Sequence, residues 1–249
     1  MSASRSVDGR LALVTGASSG IGRETCKVLA REGATVVVTC IDEAGAQETV
    51  TLLEGSNHTA MRYDVTQFDS GKELLKSIIQ KYGRPPNILV NSAGIATVIG
   101  LLDETPETFQ RVLDVNLKGT VFTIQAVCRE LVAANMPGSV VNISSRTVGR
   151  PLKYISAYVA SKGGVDGITK CFAKEMGPHG IRINSVQPGM IKTPMLGEDN
   201  SSDMVNDWVA DTSTKRLGQP QEVAEVITFL ASDRASYING AHITISDTY

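Results

Sequence analysis

Short apolar, β-branched runs alternate along the chain with longer segments in which apolar residues recur at helical spacing. Seven short runs have the character of β-strands: Leu11–Val14, Thr35–Cys40, His58–Tyr63, Ile88–Asn91, Ser139–Ile143, Arg182–Val186 and Ala241–Ile245. Six longer segments have the character of helices: Gly20–Glu32, Ala44–Glu54, Ser70–Tyr82, Thr108–Ala134, Tyr158–Gly177 and Gln221–Ala231. Because such alternation builds βαβ units with right-handed crossovers, it predicts a Rossmann-like α/β fold, a doubly wound parallel sheet of about seven strands with helices on both faces.

No linker, repeat or low-complexity segment interrupts this alternation, so residues 1–249 are predicted to form a single domain. With 42% hydrophobic residues, the chain has enough apolar side chains for one sizeable core. Its net charge of -2 provides no long-range attraction for nucleic acid. No apolar run approaches the length of about 18 residues that indicates a membrane span. We therefore expect neither a nucleic-acid partner nor a membrane span.

The cysteines and histidines are isolated from one another in the sequence. No pair of the four cysteines has the spacing of zinc ligands or of a redox motif, which favours buried thiols in a reducing compartment. The three histidines are also far apart, and we predict no metal site.

The segment Met190–Thr214 departs from the alternation, because it follows a strand but contains Gly197, several acidic residues and the lone Trp208. Ligand crevices of open α/β sheets lie beyond the carboxyl ends of the strands. We therefore interpret this segment as a mobile lid, with an ordinary surface insertion as the alternative.

The first strand runs directly into a glycine-rich turn, Thr15–Gly22, and then into a helix. In this interpretation Gly16 permits the tight turn, Gly20 lets the backbone approach a pyrophosphate, and Gly22 allows close packing of helix on strand. The free N–H groups and the positive dipole at the start of the helix favour phosphate groups. Three glycines also arise by chance, but their place in a βαβ unit predicts nucleotide binding.

Tyr158 and Lys162 are four residues apart, so they share one face of a predicted helix. A free phenol has a pKa of about 10, and a neighbouring ammonium group favours the phenolate. We therefore predict that Lys162 makes Tyr158 acidic enough to exchange a proton, and that it also binds the nicotinamide ribose. By itself the spacing is more typical of a surface pair. Ser145 favours catalysis, because it follows a strand and its hydroxyl can hold a substrate oxygen beside the phenol.

Seven motifs distributed over the chain have a familiar order: Thr15–Gly22, Asp64-Val65, Asn91–Gly94, Asn116–Thr120, Asn142–Ser145, Tyr158–Lys162 and Pro188–Pro194. Together they resemble the short-chain dehydrogenase/reductase family. The resemblance implies an oxidoreductase that transfers a hydride between a nicotinamide cofactor and a secondary alcohol or ketone. It also implies four catalytic residues, which a bound water joins in a proton relay: Asn116, Ser145, Tyr158 and Lys162.

The resemblance further implies a set of cofactor contacts. Asp64 would contact the adenine edge, and Val65 would pack on its ring. The other implied contacts are Gly16, Ser18, Ser19, Gly20, Ile21, Gly22, Asn91, Ala93, Gly94, Tyr158, Lys162, Pro188, Gly189, Ile191 and Thr193. Ordinary roles remain as alternatives, such as a helix cap for Asn116 and a turn residue for Asp64.

The end of the second strand bears on the choice of cofactor. Relatives that prefer NAD usually have an aspartate there for the ribose hydroxyls. This chain has Cys40, Ile41 and Asp42 instead. Relatives that prefer NADP usually have an arginine in this segment, and none is present, although Arg10 or Arg23 could substitute. We predict NAD, with Asp42 as a contact, and keep NADP as the alternative.

Three further stretches resemble the 17-beta-hydroxysteroid dehydrogenases and the 3-oxoacyl-carrier-protein reductases of this family: Ala46–Val50, Arg84–Pro86 and Leu217–Ala224. The likeness implies oxidation of 3-hydroxyacyl thioesters or 17-hydroxysteroids, and a homotetramer or a mixed tetramer with a related reductase. It also implies the mitochondrial matrix, with the cytoplasm as the alternative. In relatives the C-terminal tail lies at a subunit interface of the tetramer, and here it lacks the paired glycines that are usual there.

Three basic residues, Arg146, Arg150 and Lys153, lie between Ser145 and Tyr158. We hypothesise that they attract an anionic substrate such as a coenzyme A thioester, with solvated loop charges as the alternative. Two other functions stay open. One is an NADP-linked 3-oxoacyl-carrier-protein or carbonyl reductase, and the other is a non-catalytic nucleotide-binding subunit of a mixed tetramer.

Overall fold

The computed structural model describes residues 5–197 and 203–247. Within these residues, seven parallel strands form one sheet with the order β3-β2-β1-β4-β5-β6-β7. The strands are β1 (Leu11–Thr15), β2 (Thr35–Cys40), β3 (Thr59–Arg62), β4 (Ile88–Asn91), β5 (Gly138–Ile143), β6 (Ile181–Pro188) and β7 (His242–Ile245). The sheet confirms the predicted fold class.

Helices cover both faces of this sheet. They are α1 (Gly20–Arg31), α2 (Glu43–Thr51), α3 (Ser70–Tyr82), α4 (Pro106–Leu113), α5 (Gly119–Ala133), α6 (Ser156–Met176), α7 (Asp203–Asp211) and α8 (Pro220–Ala231). Among the described residues, no helix has the length and apolar character needed to cross a membrane. The same residues contain no group of three His, Cys, Asp or Glu side chains that could hold a metal ion.

Alternate side chains of each central strand enter different cores, because successive strand residues point to opposite faces. Val14 lies in the cluster that contains Leu29 of α1 and Ile227 of α8, whereas Leu13 lies in the cluster that contains Ile124 of α5. Full burial of each such side chain contributes about 1.5–3 kcal/mol. The strands are therefore continuously apolar, and the sheet fixes where their polar carboxyl ends emerge.

The strand order reverses at β1, which pairs with β2 on one side and with β4 on the other. The connections that leave the carboxyl ends of β1 and β4 therefore depart in opposite directions and open a crevice between them. Gly16 follows β1, and Ala93 follows β4. A Cβ atom placed on Gly16 would lie only 2.6 Å from the Ala93 Cα atom, so the two turns touch at the base of this crevice.

The predicted helix Thr108–Ala134 is present as one uninterrupted helical run, but it is not α-helical throughout. A π-helical turn at Asp114–Lys118 separates α4 from α5. Gly119 explains the tight packing at this point, because a Cβ atom there would lie 2.8 Å from the side chain of Val65. π-turns insert a residue into the helical repeat and are frequent at functional sites. The apolar periodicity continues through this turn, so the sequence pattern did not reveal it.

Two other predictions need correction. Helix α7 lies within the segment predicted as a lid, to which no helix was assigned from the sequence. The thiols are not all buried, because Cys26 and Cys128 are buried, Cys40 is partly exposed and Cys171 is exposed. The Cys171 thiol lies 3.3 Å from the Glu175 carboxylate on the outer side of α6.

Candidate active site

A cleft with a volume of about 1570 Å³ runs along the carboxyl edge of the sheet. It is lined by the glycine-rich turn, by the residues after β2, β4, β5 and β6, and by one side of α7. Pockets for a single small molecule typically have volumes of about 300–1,000 Å³. The cleft therefore has room for a dinucleotide together with a second molecule.

The glycine-rich half of the cleft is built from backbone. Gly16 and Gly20 have φ values of 61° and 54°, in the left-handed region that side chains disfavour. A Cβ atom on Gly22 would lie 2.4 Å from the carbonyl oxygen of Gly16. Ser19 caps α1 without a side-chain bond to the helix, and the first turn of α1 has no acidic residue. The start of α1 thus offers free N–H groups and a positive dipole, which fit the pyrophosphate of a dinucleotide.

The structure brings most of the predicted cofactor residues to this cleft. Those that line it are Gly16, Ser18, Ser19, Gly20, Ile21, Gly22, Asp64, Val65, Ala93, Gly94, Tyr158, Lys162, Pro188, Gly189, Ile191 and Thr193. The Asp64 carboxylate also accepts hydrogen bonds from the amide and the hydroxyl of Thr66, at 2.9 and 2.7 Å. Asp64 therefore has the turn role that its sequence context allowed, in addition to its place at the cleft.

Two predicted cofactor residues do not line the cleft. The Asp42 carboxylate caps α2 by accepting a hydrogen bond of 3.0 Å from the amide of Gly45, and Cys40 and Ile41 line the cleft in its place. The Asn91 side chain is buried within the sheet, where it donates to the side chain of Asn142 at 2.9 Å. Both side chains serve local structure, which the motif pattern alone could not distinguish from a ligand contact.

Ser145 lies two residues after the end of β5 and lines the cleft. Its hydroxyl oxygen accepts two hydrogen bonds from Thr147, one from the amide at 3.2 Å and one from the hydroxyl at 2.8 Å. Because these bonds occupy its acceptor positions, the Ser145 O–H group is left to donate. Sequence reasoning did not identify Thr147, although a serine side chain commonly bonds the backbone two residues further on.

Tyr158 and Lys162 line the same wall of the cleft, as their spacing predicts. The lysine nitrogen lies 5.6 Å from the centre of the tyrosine ring and donates a hydrogen bond of 2.7 Å to the carbonyl oxygen of Ile143. Burial raises the pKa of Tyr158, and a hydrogen bond with Ser145 opposes this effect. Desolvation of the phenolate is therefore the largest influence on this pKa, and the effect expected from the charge of Lys162 stays a prediction.

Burial also changes the charge balance at Lys162, which is only 4% exposed. It lowers the pKa of Lys162 to about 8, and the negative charge of Asp166 acts in the opposite direction. Near neutral pH the lysine is therefore still a cation, while the phenol of Tyr158 is protonated. A protonated phenol beside a cation is arranged to donate a proton to a ligand oxygen.

Asn116 lies in the π-helical turn, beneath the cleft rather than in its wall. Its side-chain oxygen accepts from the amide of Ile95 at 2.8 Å, and its side-chain nitrogen donates to the carbonyl of Ile95 and to the hydroxyl of Ser161 at 2.9 and 3.0 Å. These bonds hold the segment after β4 against α6. They make Asn116 a positioning residue, and its place in a proton relay stays a prediction.

Helix α7 closes one side of the cleft. Trp208 lines the cleft and is 7% exposed. The guanidinium group of Arg150 lies 5.2 Å from the centre of the Trp208 ring and forms an ion pair with Asp211 at the end of α7. The charge of Arg150 is therefore engaged by the predicted lid segment. This contact favours a role in holding α7 over attraction of an anionic substrate by this arginine.

Comparisons with known proteins agree with this geometry. A family model described as enoyl-(acyl carrier protein) reductase matches residues 16–247. The human (3R)-3-hydroxyacyl-CoA dehydrogenase is 42% identical over 95% of this chain and 94% of its own. The 3-oxoacyl-[acyl-carrier-protein] reductase FabG of Thermotoga maritima is 39% identical, with 96% and 97% covered. The crystal structure of a putative 2-deoxy-D-gluconate 3-dehydrogenase from Agrobacterium tumefaciens with bound NADP superposes with a TM-score of 0.88, at 31% identity over 98% and 97% of the two chains.

A doubly wound sheet with a glycine cradle opposite a tyrosine and a buried lysine defines a nucleotide-dependent oxidoreductase. The extent of the matches settles the family. This chain belongs to the short-chain dehydrogenase/reductase family, whose cofactors are NAD or NADP.

Proposed function

We propose that this chain transfers a hydride reversibly between NAD(H) and a secondary alcohol or ketone, and that its substrates are 3-hydroxyacyl thioesters and the corresponding 3-oxoacyl thioesters. One observation carries the proposal: Ser145, Tyr158 and Lys162 line one end of a cleft whose other end is the glycine-rich cradle. The names of the human and Thermotoga relatives support the substrate class.

When bound, the nicotinamide cofactor supplies the hydride acceptor or donor. In ketone reduction, Ser145 donates a hydrogen bond to the substrate oxygen, and Tyr158 transfers its phenolic proton to that oxygen. Lys162 binds the nicotinamide ribose, and its charge stabilises the phenolate that the transfer leaves behind. In oxidation the same groups act in reverse: the alcohol gives its proton to Tyr158 as its carbon loses a hydride.

The wall of the cleft around Tyr158 is suited to an acyl chain. Apolar side chains from the segments after β4, β5 and β6 and from α7 contribute to it: Val98, Leu152, Met190, Met195, Leu196 and Trp208. Lys153 lines the same cleft and is exposed. We propose that this lysine, rather than Arg150, meets the anionic part of a thioester substrate.

The surroundings of Cys40 support NAD over NADP. Two arginines near the cofactor half pair with acidic residues, Arg23 with Glu48 at 2.8 Å and Arg62 with Glu43 at 3.4 Å. Arg10 precedes β1, at the opposite edge of the sheet, and pairs with Asp233. Glu43 and Asp42 begin α2 close to the end of β2, where their charges oppose a 2′-phosphate. We therefore propose a higher kcat/KM for NAD(H) than for NADP(H).

A panel of substrates tests the proposed activity. Purified protein would be assayed with 3-hydroxyacyl thioesters of several chain lengths, with estradiol and with cyclohexanol, each with NAD and NADP. We expect the highest kcat/KM for a 3-hydroxyacyl thioester with NAD. A preference for estradiol would instead support the steroid dehydrogenase alternative, and the absence of turnover on every substrate would contradict the proposal.

An NADP-linked 3-oxoacyl-carrier-protein reductase is the second candidate. The specific observation in its favour is that Cys40, and no acidic residue, ends β2 and lines the cleft. A lower KM for NADPH than for NADH, with a 3-oxoacyl group on its carrier protein as the preferred substrate, would establish this function in place of the first.

We also propose that the chain assembles as a tetramer, alone or with a related reductase. The proposal rests on the likeness of the sequence to the 17-beta-hydroxysteroid dehydrogenases and the 3-oxoacyl-carrier-protein reductases of the family. Light scattering after size-exclusion chromatography tests it, and a monomer at working concentration would contradict it.

The proposed mitochondrial matrix location is tested by imaging the full chain fused to a fluorescent protein at its C-terminus.

A further inference from the structure

Five ionisable residues follow one another at four-residue intervals along α6: Tyr158, Lys162, Asp166, Lys170 and Lys174. The first two line the cleft. Asp166 lies one helical turn beyond Lys162 and is buried, with 8% exposure. Residues at this spacing are neighbours on one side of a helix, so the carboxylate of Asp166 is the next charge inward from the catalytic lysine.

Two donors from β6 hold the carboxylate of Asp166. One carboxylate oxygen accepts from the Ser185 hydroxyl at 3.0 Å, and the other accepts from the side-chain amide of Gln187 at 2.7 Å. These bonds compensate for the burial of a charged group. They also fix the carboxylate against the sheet, directly beneath the segment of α6 that carries Lys162.

The groups around this carboxylate do not neutralise it near neutral pH. From β7, the Nδ1 atom of His242 lies 3.5 Å from Asp166 and 2.7 Å from the Ser185 hydroxyl. Burial lowers the pKa of His242; the charge of Asp166 opposes that effect, and the charge of Lys170 adds to it. The histidine is therefore neutral at pH 7. On β6, the charged side chain of Arg182 turns to the backbone oxygens of Ser232 and Ile238 instead.

The other groups that meet Lys162 are uncharged. The carbonyl oxygen of Ile143 accepts its hydrogen bond, and a Cβ atom built on Gly94 would lie 3.6 Å from its nitrogen and 3.4 Å from the side-chain oxygen of Asn116. Tyr158, which is protonated near neutrality, completes the surroundings. The carboxylate of Asp166 is thus the charge that acts on the lysine nitrogen. Because both side chains are buried, solvent and salt screen their attraction poorly.

We propose that Asp166 is a positioning residue that keeps Lys162 in its ammonium form and so sets the pH above which the active site loses its cation. The inference rests on the proposed catalytic role of Lys162. Tyr158 provides the acid, and Lys162 provides the cation. The charge of this cation is maintained by an inner polar cluster, which consists of Asp166, Ser185, Gln187 and His242.

Direct titration of Lys162 tests this role without any turnover. In protein labelled with ¹³C at the lysine side chains, the pKa of Lys162 would be measured by NMR, with Lys162→Met used to assign its signal. In Asp166→Asn we expect this pKa to fall by roughly one unit, because the variant removes the opposite charge, one helical turn away, that favours the ammonium form. In Asp166→Glu, which retains the charge, we expect most of the wild-type value.

Gln187→Leu is the matched control, since it removes a hydrogen bond to Asp166 but no charge. Unchanged titration of Lys162 in Asp166→Asn, or an equal shift in Gln187→Leu, would overturn the proposal. The alkaline limb of the pH profile of kcat/KM would move with the lysine in Asp166→Asn. Because the NMR titration requires no substrate, its failure is distinguishable from failure of the proposed oxidoreductase function.

If Asp166→Asn alone unfolds the protein, the double variant Lys162→Met/Asp166→Asn keeps the proposal testable. When two buried charges are coupled, removal of one leaves the other uncompensated, and removal of both relieves that penalty. We expect the double variant to have a higher Tm than Asp166→Asn. Equal or lower stability would show that the two side chains are not coupled and would overturn the proposal.

Discussion

One end of the cleft is formed by backbone groups and the other by side chains. At the cofactor end, Gly16, Gly20 and Gly22 bring backbone amides to the surface, and their function depends on the absence of side chains. At the catalytic end, Tyr158 and Lys162 are buried or partly buried side chains whose protonation depends on their surroundings. A short contiguous sequence is enough to specify the first end, whereas several distant segments must meet to specify the second.

This difference predicts that the two ends fail in different ways. Damage to the glycine end is steric and removes binding. Substitutions at the catalytic end remove a charge or a transferable proton. They abolish turnover or shift its pH range, while cofactor binding is retained. The following variants and measurements test this separation.

The largest effect is expected for Tyr158→Phe, which removes only the transferable proton. General acid–base catalysis contributes about 10²–10⁴-fold, so we expect a loss of turnover on that order. Calorimetric titration should give the same Kd for NAD as in the wild type. Retention of wild-type turnover would assign the proton transfer to another group.

Gly16→Ala should weaken cofactor binding, which Tyr158→Phe leaves unchanged. Its Cβ atom would lie 2.6 Å from the backbone of Ala93, at a φ of 61°, so we expect the Kd for NAD to increase roughly tenfold or more. Gly83→Ala is the matched control, because Gly83 has a φ of 72° but open space around it. Both variants should lower Tm through backbone strain, and equal NAD affinities in the two would contradict the proposed cradle.

The pH dependence of cofactor affinity should be smaller. The pKa of Lys162 is about 8 in the folded chain. Below that pH the lysine is a cation, and above it the charge-assisted bond to the ribose is lost. We expect the Kd for NAD to increase several-fold as the pH rises through this value, because a charge-assisted hydrogen bond of about 1.5–3 kcal/mol is replaced by a neutral one of about 0.5–1.5 kcal/mol, and a difference of about 1 kcal/mol is several-fold in Kd. A flat profile in the wild type, or an identical profile in Lys162→Met, would contradict this assignment.

Arg150→Ala should have the smallest effect. It removes an exposed ion pair with Asp211 and a contact with the Trp208 ring, and exposed ion pairs contribute little. We expect a KM increase of a few-fold for thioesters and for neutral alcohols alike, because α7 is loosened. Lys76→Ala, which removes a surface pair with Glu73, is the control. A KM increase confined to thioesters would show that Arg150 instead recognises the negative charge of the substrate.

The sheet and the glycine turn were predictable because local signals determine them. The strand Thr35–Cys40 and the strand Ile88–Asn91 have the bounds that their apolar runs indicate, and Gly16 and Gly20 have the backbone conformations that only glycine favours. Ser145, Tyr158 and Lys162 also lie in the cleft as expected. In these cases a few neighbouring residues contain the necessary information.

Other features depend on contacts between distant residues. The amide of Asn116 is held by Ile95, and the carboxylate of Asp42 is held by α2, so neither lines the cleft. The pKa of Tyr158 is set by burial, which the four-residue spacing to Lys162 does not contain. Asp166 left a signal, since it extends that spacing by one more turn, but its partners on β6 and β7 become apparent only in three dimensions.

The central claim is that the protonated, buried phenol of Tyr158 is the proton donor in ketone reduction. Single-turnover hydride transfer, measured against pH at saturating cofactor and 3-oxoacyl thioester, tests it most directly. The rate should stay constant through neutral pH, decrease in part as Lys162 loses its charge near its pKa of about 8, and decrease further where Tyr158 ionises, above the ordinary phenol value of about 10. A decrease centred near the histidine range of about 6.5, or the same rate in Tyr158→Phe, would contradict the claim.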